Sequence, residues 1–335
     1  MISIDIGVFA HNEADGIAAM LDDCLAQTIF TDAGLDLRLL VLANGCSDAT
    51  ADVSRSVLAR HKGPGLEVAD LREGGKSRTW NRFVHELSRP GADYLLFLDA
   101  DIAMPDPDTL ARLLRFIVDR EHVVASPSRP VKDLERTTRP LTPVEKLIAA
   151  SAGGLDDWKT AICGQLYIAR TSAMRTIWLP VGLPVEDGFI RAMILTENFS
   201  KDEDLRRIDA DDGVWHVYES ERTLSALIRH QVRIIIGSAI NTLIFRRLEE
   251  EPKARRGALM AEAAKDDDWL GALIRKRLPS MPYGWVPFHY LVKRLNHFSF
   301  APRRAAVVLA GFGFDALVYC LAQIRMARGT GAHFW

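Results

Sequence analysis

The chain has 335 residues, of which 48% are hydrophobic and 26% charged, a composition typical of a globular protein. Its formal net charge of −2 gives no indication of a polyanionic partner, so nucleic-acid binding is not favoured. The 4 cysteines lie far apart without metal-ligand spacing, which argues against a zinc site or a disulfide scaffold and favours reduced thiols in the cytoplasm. The first residues lack the basic start and long apolar segment of a signal peptide.

Strands and helices alternate along the first part of the chain. Strands are predicted at residues 2–10, 37–43, 66–71, 94–98 and 123–125. An amphipathic helix is predicted after each of the first four, and each helix begins near a polar turn. This alternation predicts an α/β fold with a mostly parallel, doubly wound sheet and right-handed connections.

The second half of the chain has a looser pattern. Residues 126–143 are rich in proline and charge and are predicted to form a loop, and two added strands are predicted at 162–169 and 213–218. The remainder is mostly helical in character. We therefore predict an α/β domain over residues 1–222 and a helical C-terminal extension over 223–335.

The extension carries two long apolar segments. Residues 224–248 are amphipathic, whereas 305–324 are almost continuously apolar and approach the roughly 20 residues that span a bilayer. Asp315 lies within the second segment, where an unpaired charge would be costly in lipid. A core helix, an interfacial helix and a spanning helix therefore all remain open. Arginines flank this segment, and residues 279–287 are rich in Trp, Tyr and Met, so we expect a peripheral contact with the cytoplasmic face of a membrane or with a protein partner.

Two aspartates directly follow the apolar strand predicted at residues 94–98. Asp99 and Asp101 are spaced i, i+2, which on a strand places both side chains on one face. Open α/β sheets bind ligands at the carboxyl edge, and paired carboxylates there suit a hard divalent cation that bridges phosphate oxygens. The alternative is a strand followed by a solvated acidic turn.

Other polar residues are expected at the same edge of the sheet. Asn12 and Glu13 follow the first strand, Asn44 and Asp48 follow the second, and Lys76 opens a helix. A lysine at a helix N-terminus opposes the helix dipole, which favours an anion as its partner. Turn formation and helix capping are the structural alternatives for the others. Together these side chains suit a nucleotide: acids and amides for base and ribose, a lysine for phosphate and carboxylates for a metal.

The chain resembles the family-2 inverting glycosyltransferases of the GT-A fold. The resemblance covers about residues 1–240 and rests on motifs in the family's order: Asn12-Glu13-Ala14, Asn44-Gly45-Cys46-Ser47-Asp48-Ala49-Thr50, Gly75-Lys76 with Asn81, Leu98-Asp99-Ala100-Asp101, Glu186-Asp187 and Gln231-Val232-Arg233-Ile234. Three positions depart from the family pattern. Asn44 stands in place of an aspartate, Ala14 in place of a glutamate and Ile234 in place of a tryptophan.

The resemblance implies a role for each motif. Asp101 would coordinate Mg²⁺ or Mn²⁺ on the donor diphosphate, and Asp99 would share the metal or contact ribose. Asn12, Glu13, Asn44 and Asp48 would hold the nucleoside, and Lys76 would lie near uracil or phosphate. Asp187 would be the general base, while Glu186, Gln231 and Arg233 would line the acceptor or pyrophosphate side of the cleft. From the residues alone, Gly164 marks an acceptor contact or a tight packing site, and His216 is a third metal ligand or a histidine satisfied within the core.

The sequence thus predicts a metal-dependent inverting glycosyltransferase that uses a nucleotide sugar, with UDP favoured. The acceptor would be a hydroxyl of a glycan or of a lipid-linked molecule, in cell-envelope or glycolipid synthesis. Two rival interpretations are a nucleotidyltransferase and a nucleotide-sugar-binding scaffold. A nucleotidyltransferase is expected to carry a Gly-rich basic loop after the first strand, and this chain lacks one. A scaffold is disfavoured because Asp99, Asp101 and Asp187 are all present.

Overall fold

The computed structural model describes residues 1–61, 65–142, 145–146, 157–277, 286, 288–292 and 302–328. Within these ranges the strands are β1 (Ile2–Ala10), β2 (Leu35–Asn44), β3 (Leu66–Leu71), β4 (Tyr94–Asp99), β5 (Ile102–Ala103), β6 (Ala125–Pro127), β7 (Arg129–Lys132), β8 (Leu166–Arg170) and β9 (Trp215–Tyr218).

The α-helices in the same ranges are α1 (Ile17–Leu25), α2 (Thr50–Leu58), α3 (Lys76–Arg82), α4 (Thr109–Val118), α5 (Asp133–Arg136), α6 (Thr171–Met174), α7 (Glu186–Leu195), α8 (Leu224–Glu249), α9 (Lys253–Ala263), α10 (Trp269–Arg277), α11 (His289–Val292) and α12 (Pro302–Ala327). A π-helical segment, Phe83–Leu87, continues α3, and short 3₁₀ helices lie at Thr28–Thr31, Trp158–Thr160 and Leu205–Arg207.

The central sheet has six strands in the order β3-β2-β1-β4-β8-β6. β3, β2, β1 and β4 pair in parallel, whereas β8 runs antiparallel to both of its neighbours. The predicted α/β architecture with a mostly parallel sheet is therefore confirmed. The sheet is mostly rather than wholly parallel, because β8 is antiparallel to β4 and β6.

Alternate residues of each buried strand face different cores. On β2, Leu39 and Val41 pack into the core formed with α1, α2 and α4, whereas Leu40 and Leu42 pack into the core formed with α3, α7 and α8. A strand that is covered by helices on both faces has apolar residues at consecutive positions, which explains the apolar sequence of β2. The two cores hold the carboxyl ends of the parallel strands at one edge.

A small second sheet corrects the prediction for residues 126–143. Instead of forming only a loop, this stretch contains the end of β6, all of β7 and the short helix α5. β7 pairs in parallel with β9, and β9 pairs antiparallel with β5. The proline-rich sequence concealed β7 because its pairing partner lies about 85 residues further along the chain, in a segment that local patterns cannot connect to it.

The C-terminal region is helical, as predicted, and α8 contributes Val232, Ile236 and Ile240 to the same core as the sheet. α12 packs along α8 and exposes Leu309, Leu317 and Ile324. Within the described ranges, no helix combines the length and apolar character that crossing a bilayer requires. Residues 279–287, which we predicted to contact a membrane or partner, lie outside the described residues except for Val286. The division at residue 222 stays a prediction.

Candidate active site

The acidic turn after β4 is fixed by strands on both sides. The Asp99 N–H donates to the Gln165 carbonyl at 2.8 Å, and the Ala100 N–H donates to the Phe9 carbonyl at 3.0 Å. β4 ends at Asp99, so Asp101 lies in the turn before β5 and is exposed, whereas Asp99 is half-buried. The two acids therefore meet at the carboxyl edge as expected, although the strand's alternation does not extend to Asp101.

Lys76 joins the acidic turn to the start of α7. Its Nζ lies 2.8 Å from Asp99 Oδ2 and 3.1 Å from Glu186 Oε1. Burial alone would lower the pKa of the Lys76 ammonium, but the carboxylates of Asp99 and Glu186 outweigh burial and raise that pKa above its usual value. Lys76 is therefore a cation in this site.

Asp187 has the electrostatic environment of a general base. Burial and the neighbouring Glu186 raise its pKa to about 6, while the Gly188 N–H, Lys76 and Arg233 act in the opposite direction. Its Oδ1 accepts the Gly188 N–H at 2.7 Å. A carboxylate whose pKa approaches the working pH is better able to remove a proton than an ordinary aspartate.

Asp99 is shifted in the same direction. Burial raises the pKa of its carboxyl to about 6, Lys76 opposes this shift, and the negative charge of Asp101 adds to it. Asp99 and Asp187 thus both have raised pKa values, and the charge of Lys76 opposes both shifts. Carboxyl groups with perturbed pKa values are found at functional sites more often than elsewhere.

Gly164 lies at the centre of this group. A methyl group at Gly164 would lie 3.5 Å from Glu186 Oε1, 3.6 Å from Asp187 Cβ and 3.8 Å from Lys76 Nζ. These are ordinary van der Waals distances, so the missing side chain leaves a small space beside Asp187 rather than a forced backbone contact. The acceptor contact at Gly164 stays a prediction.

Two loops beside the acidic turn are tied together by their own side chains. Asn12 Oδ1 accepts the Ser47 N–H at 2.8 Å, and Asp48 Oδ2 accepts the Ala14 N–H at 3.1 Å. The Glu13 N–H donates to Thr50 Oγ1 at 2.8 Å. Asn12 and Asp48 thus shape the loops after β1 and β2, and their contacts with a donor stay predictions.

Glu13 faces other acids at this edge. Burial raises its pKa, and the charges of Asp101, Asp48 and Glu219 raise it further. Glu219 was not among the predicted site residues. It follows β9, whose Tyr218 pairs with Ile102, the residue after Asp101. An acid directly after the predicted strand 213–218 was the available signal.

Asn44 ends β2 and is buried, with 5% of its surface exposed. Its side-chain Oδ1 has no hydrogen-bond partner among the described residues, while its backbone carbonyl accepts from His11 Nδ1 at 2.6 Å. The next residue, Gly45, has φ +57°, and a methyl group there would lie 2.6 Å from Gly74 Cα. An unpaired buried amide oxygen at the carboxyl edge is available to a ligand N–H.

His216 is satisfied within the core. Its Nε2 is 3.1 Å from Gln165 Oε1 and its Nδ1 is 3.0 Å from Ser128 Oγ. Burial lowers its pKa to about 3, so the ring is neutral. Both ring nitrogens have side-chain partners, which favours the structural interpretation over that of a third metal ligand.

The remaining predicted residues lie on α8. Gln231 and Arg233 are both half-buried, and the positive charge of Arg233 acts on Asp187. In the described part of the chain, no group of three or more His, Cys, Asp and Glu side chains is arranged to hold a metal. Asp99 and Asp101 nevertheless fit Mg²⁺, because this ion is usually bound by one or two carboxylates with substrate phosphates and water.

Comparison with known proteins agrees with this geometry. Residues 5–177, more than half of the chain, match glycosyl transferase family 2. The chain belongs to this family, and the prediction of a glycosyltransferase with a GT-A fold is confirmed. No curated protein matches the chain by sequence.

Similar solved structures are also glycosyltransferases. A mannosyltransferase from Pyrobaculum calidifontis, in complex with GDP-Man and Mn²⁺, has 17% identity and a TM-score of 0.55 over 97% of this chain and 85% of its own. Mannosyl-3-phosphoglycerate synthase from Rubrobacter xylanophilus has 18% identity and a TM-score of 0.47 over 71% of this chain and 73% of its own. The first of these shows a shared fold over nearly the whole chain.

Proposed function

We propose that this chain transfers a sugar from a nucleoside diphosphate to an acceptor hydroxyl, in one metal-dependent displacement that inverts the anomeric carbon. One observation carries the proposal: Lys76 contacts both Asp99 and Glu186, the residue directly before Asp187, although 87 positions separate Asp99 from Glu186 in sequence. A base and a metal-binding acid at one edge are the two groups that such a transfer needs.

The donor side would be formed by the turn after β4 and the loops after β1 and β2. Asp99 and Asp101 would hold Mg²⁺ or Mn²⁺, which when bound neutralises charge on the departing diphosphate. Asn12, Glu13 and Asp48 would border the nucleoside. The buried Asn44 Oδ1 would accept an N–H of the base, since that atom has no partner among the described residues.

The acceptor side would be formed around Asp187. Its carboxylate would remove the proton of the acceptor hydroxyl as the oxygen attacks the sugar, and the space beside Gly164 would admit that hydroxyl. The raised pKa of Asp187 suits this step. Gln231 and Arg233 would line the same side from α8, with Glu186 held by Lys76.

The acceptor would be a glycan or a lipid-linked molecule, as in cell-envelope or glycolipid synthesis, and the protein would lie on the cytoplasmic face of a membrane. The exposed side chains of Leu309, Leu317 and Ile324 on α12 support a peripheral contact, since they recur at spacings of 8 and 7 and so share one helix face.

The test of the transfer begins with binding. Thermal stability is measured with UDP-, GDP- and dTDP-sugars, each with and without Mn²⁺, because a ligand that binds only the folded state raises the melting temperature. We expect one nucleotide series, with UDP favoured, to stabilise the protein only with the metal. The stabilising sugar is then offered with candidate acceptors, and the product's anomeric configuration is read by NMR. Retention of configuration, or no metal-dependent binding in any series, would contradict the proposal.

The membrane contact is tested by flotation with liposomes that contain anionic lipid. We expect the wild-type protein to float, and a variant with Leu317→Ser and Ile324→Ser to stay at the bottom of the gradient. Leu205→Ser is the matched control, because Leu205 is also exposed but lies in a 3₁₀ helix outside α12. If the wild type does not float, the membrane contact is wrong and the transfer proposal is unaffected.

A further inference from the structure

Lys76 occupies an unusual position for a lysine. It is the first residue of α3, preceded by Gly75 at φ +121°, and its side chain is only 17% exposed. A cation at a helix N-terminus opposes the helix dipole, and burying an ammonium is costly unless it is paired. Both costs are offset here by two carboxylates, those of Asp99 and Glu186.

These two carboxylates belong to elements that do not hydrogen-bond to each other. β4, which ends at Asp99, pairs with β1 and β8, whereas Glu186 opens α7. Neither carboxylate has another ion pair in the described ranges. Lys76 therefore provides the charged link between the metal-binding edge of the sheet and the helix that carries Asp187.

The contacts of Lys76 occupy most of the hydrogen-bond donors of its ammonium. An ammonium has three N–H donors. One is directed to Asp99 Oδ2 at 2.8 Å, and a second lies toward Glu186 Oε1 at 3.1 Å. A lysine whose main task was to bind diphosphate would not be expected to direct two of its donors to buried carboxylates.

We propose that Lys76 is a positioning residue, whose ammonium sets the placement of Asp187 relative to Asp99 by holding Glu186 and Asp99 together. This inference rests on the proposed function, because it assigns Asp187 as the base and Asp99 to the metal side. It replaces direct contact with uracil or phosphate as the main role of Lys76.

The surroundings of Asp187 show how a change at Lys76 reaches the base. Glu186 precedes it on α7, and the positive charges of Lys76 on α3 and Arg233 on α8 both act on it. Cys163, before β8, also lies near it. Lys76 Nζ, Glu186 and Asp187 all border the space at Gly164. Without the ammonium, the Glu186 side chain loses the contact that holds it near Asp99, so it would move and change the surroundings of the adjacent Asp187 carboxylate.

The test compares Lys76→Met, Lys76→Arg and Glu186→Gln with the wild type. We expect Lys76→Met to lower kcat by about 100-fold, because a displacement of about 1 Å at a reacting group can have that effect. Its dissociation constant for the nucleoside diphosphate with Mn²⁺, measured by calorimetry, should change less than about threefold. The acidic limb of its kcat–pH profile should move to higher pH, since a cation that lowers the pKa of Asp187 is gone.

Lys76→Arg keeps the charge, so its kcat and pH profile should be closer to wild type than those of Lys76→Met. A general loss of stability in Lys76→Met would not explain this partial recovery. In the double variant Lys76→Met with Glu186→Gln, kcat should fall by less than the product of the two single reductions, because both substitutions break the same ion pair. If Lys76→Met does not fold, as judged by circular dichroism, Glu186→Gln alone carries the test and should lower kcat with donor binding intact.

Two results would overturn different claims. If the wild type neither binds a nucleoside diphosphate with Mn²⁺ nor transfers sugar, the proposed function is wrong. If the wild type does both, but Lys76→Met weakens nucleotide binding more than about tenfold with kcat unchanged, Lys76 is a donor ligand and the positioning role is wrong.

Discussion

Gly237 of α8 faces Val185, the residue before α7, so closely that a methyl group at Gly237 would overlap Val185 Cγ2. One helical turn further along, Asn241 Nδ2 donates to the Val185 carbonyl at 3.2 Å. The long C-terminal helix is thus in direct contact with the segment that places Glu186 and Asp187. α8 therefore belongs physically to the candidate site.

Gly237→Ala should disturb both stability and activity. The added methyl group has no room against Val185, and overpacking of this kind destabilises by about 1–3 kcal/mol. Since relief requires α7 to shift, kcat should fall with little change in nucleotide binding. Urea unfolding and steady-state kinetics measure the two effects. Gly257→Ala on α9 is the matched control, because nothing lies within 4 Å of its added methyl group, and it should stabilise by roughly 0.5–1 kcal/mol.

The pH dependence of transfer should follow Asp187. Burial and the charge of Glu186 raise its pKa to about 6, so the proposed base is protonated and inactive below that pH. We expect kcat to fall about tenfold per pH unit on the acidic side of this value. The profile is measured with donor and metal at saturation. A kcat that stays constant down to pH 4.5 would show that Asp187 is not the base.

Asp187→Asn should remove transfer and yet stabilise the protein at high pH. Below about pH 4 the carboxyl is protonated in both the folded and the unfolded state, so the substitution has little effect there. As the pH rises through about 6, the folded wild type must ionise a buried carboxyl, and it loses stability relative to the variant. At pH 8 the variant should be more stable by about 1–3 kcal/mol.

Asp204→Asn should change the stability of the folded protein in the opposite direction. The guanidinium and backbone N–H of Arg206 lower the pKa of Asp204 to about 2, so its carboxylate stabilises the folded state at neutral pH. This stability is present above the usual pKa of an aspartate and is lost as the pH falls through about 2. Asp204→Asn should therefore lower the melting temperature at pH 8, whereas Asp187→Asn raises it. Two shifts of the same sign would contradict the electrostatic account.

Gly164→Ala should change acceptor use without changing the fold. The new methyl group would meet Glu186 and Asp187 at 3.5–3.6 Å, so no backbone shift is required. It would occupy part of the space into which the acceptor hydroxyl is proposed to enter. We expect the KM for acceptor to rise several-fold, while the melting temperature and the nucleotide affinity stay at wild-type values. An unchanged KM would place the acceptor elsewhere.

Asp5 should be essential for stability but not for chemistry. This fully buried carboxylate, near the start of β1, accepts from Arg89 Nε at 2.7 Å. Asp5→Ala removes the buried partner of the Arg89 guanidinium, which keeps its ion pair with Asp36, and should cost about 1–3 kcal/mol in the free energy of unfolding. Asp22→Ala is the control, because Asp22 pairs with Arg60 at the surface, and it should cost about 0–1 kcal/mol.

The sequence by itself determined the parallel strands of the central sheet and the polar residues at their carboxyl ends. β1, β2, β3 and β4 are apolar runs bounded by turns, and such runs are buried wherever helices cover both faces of a sheet. The polar residues after those runs reach one edge, because parallel strands all end on the same side. Asp99, Glu13 and Asn44 could therefore be placed from pattern alone.

Tertiary structure decided which of these groups touch. The ion pairs of Lys76 depend on α3, β4 and α7 meeting in space, and the steric contact of Gly237 depends on α8 crossing the segment before α7. β7 and β9 pair across about 85 residues, and His216 finds its partners only in that arrangement. Periodicity reports which face of an element is buried, but not which other element covers it, because long-range contacts are set by the packing of the whole chain.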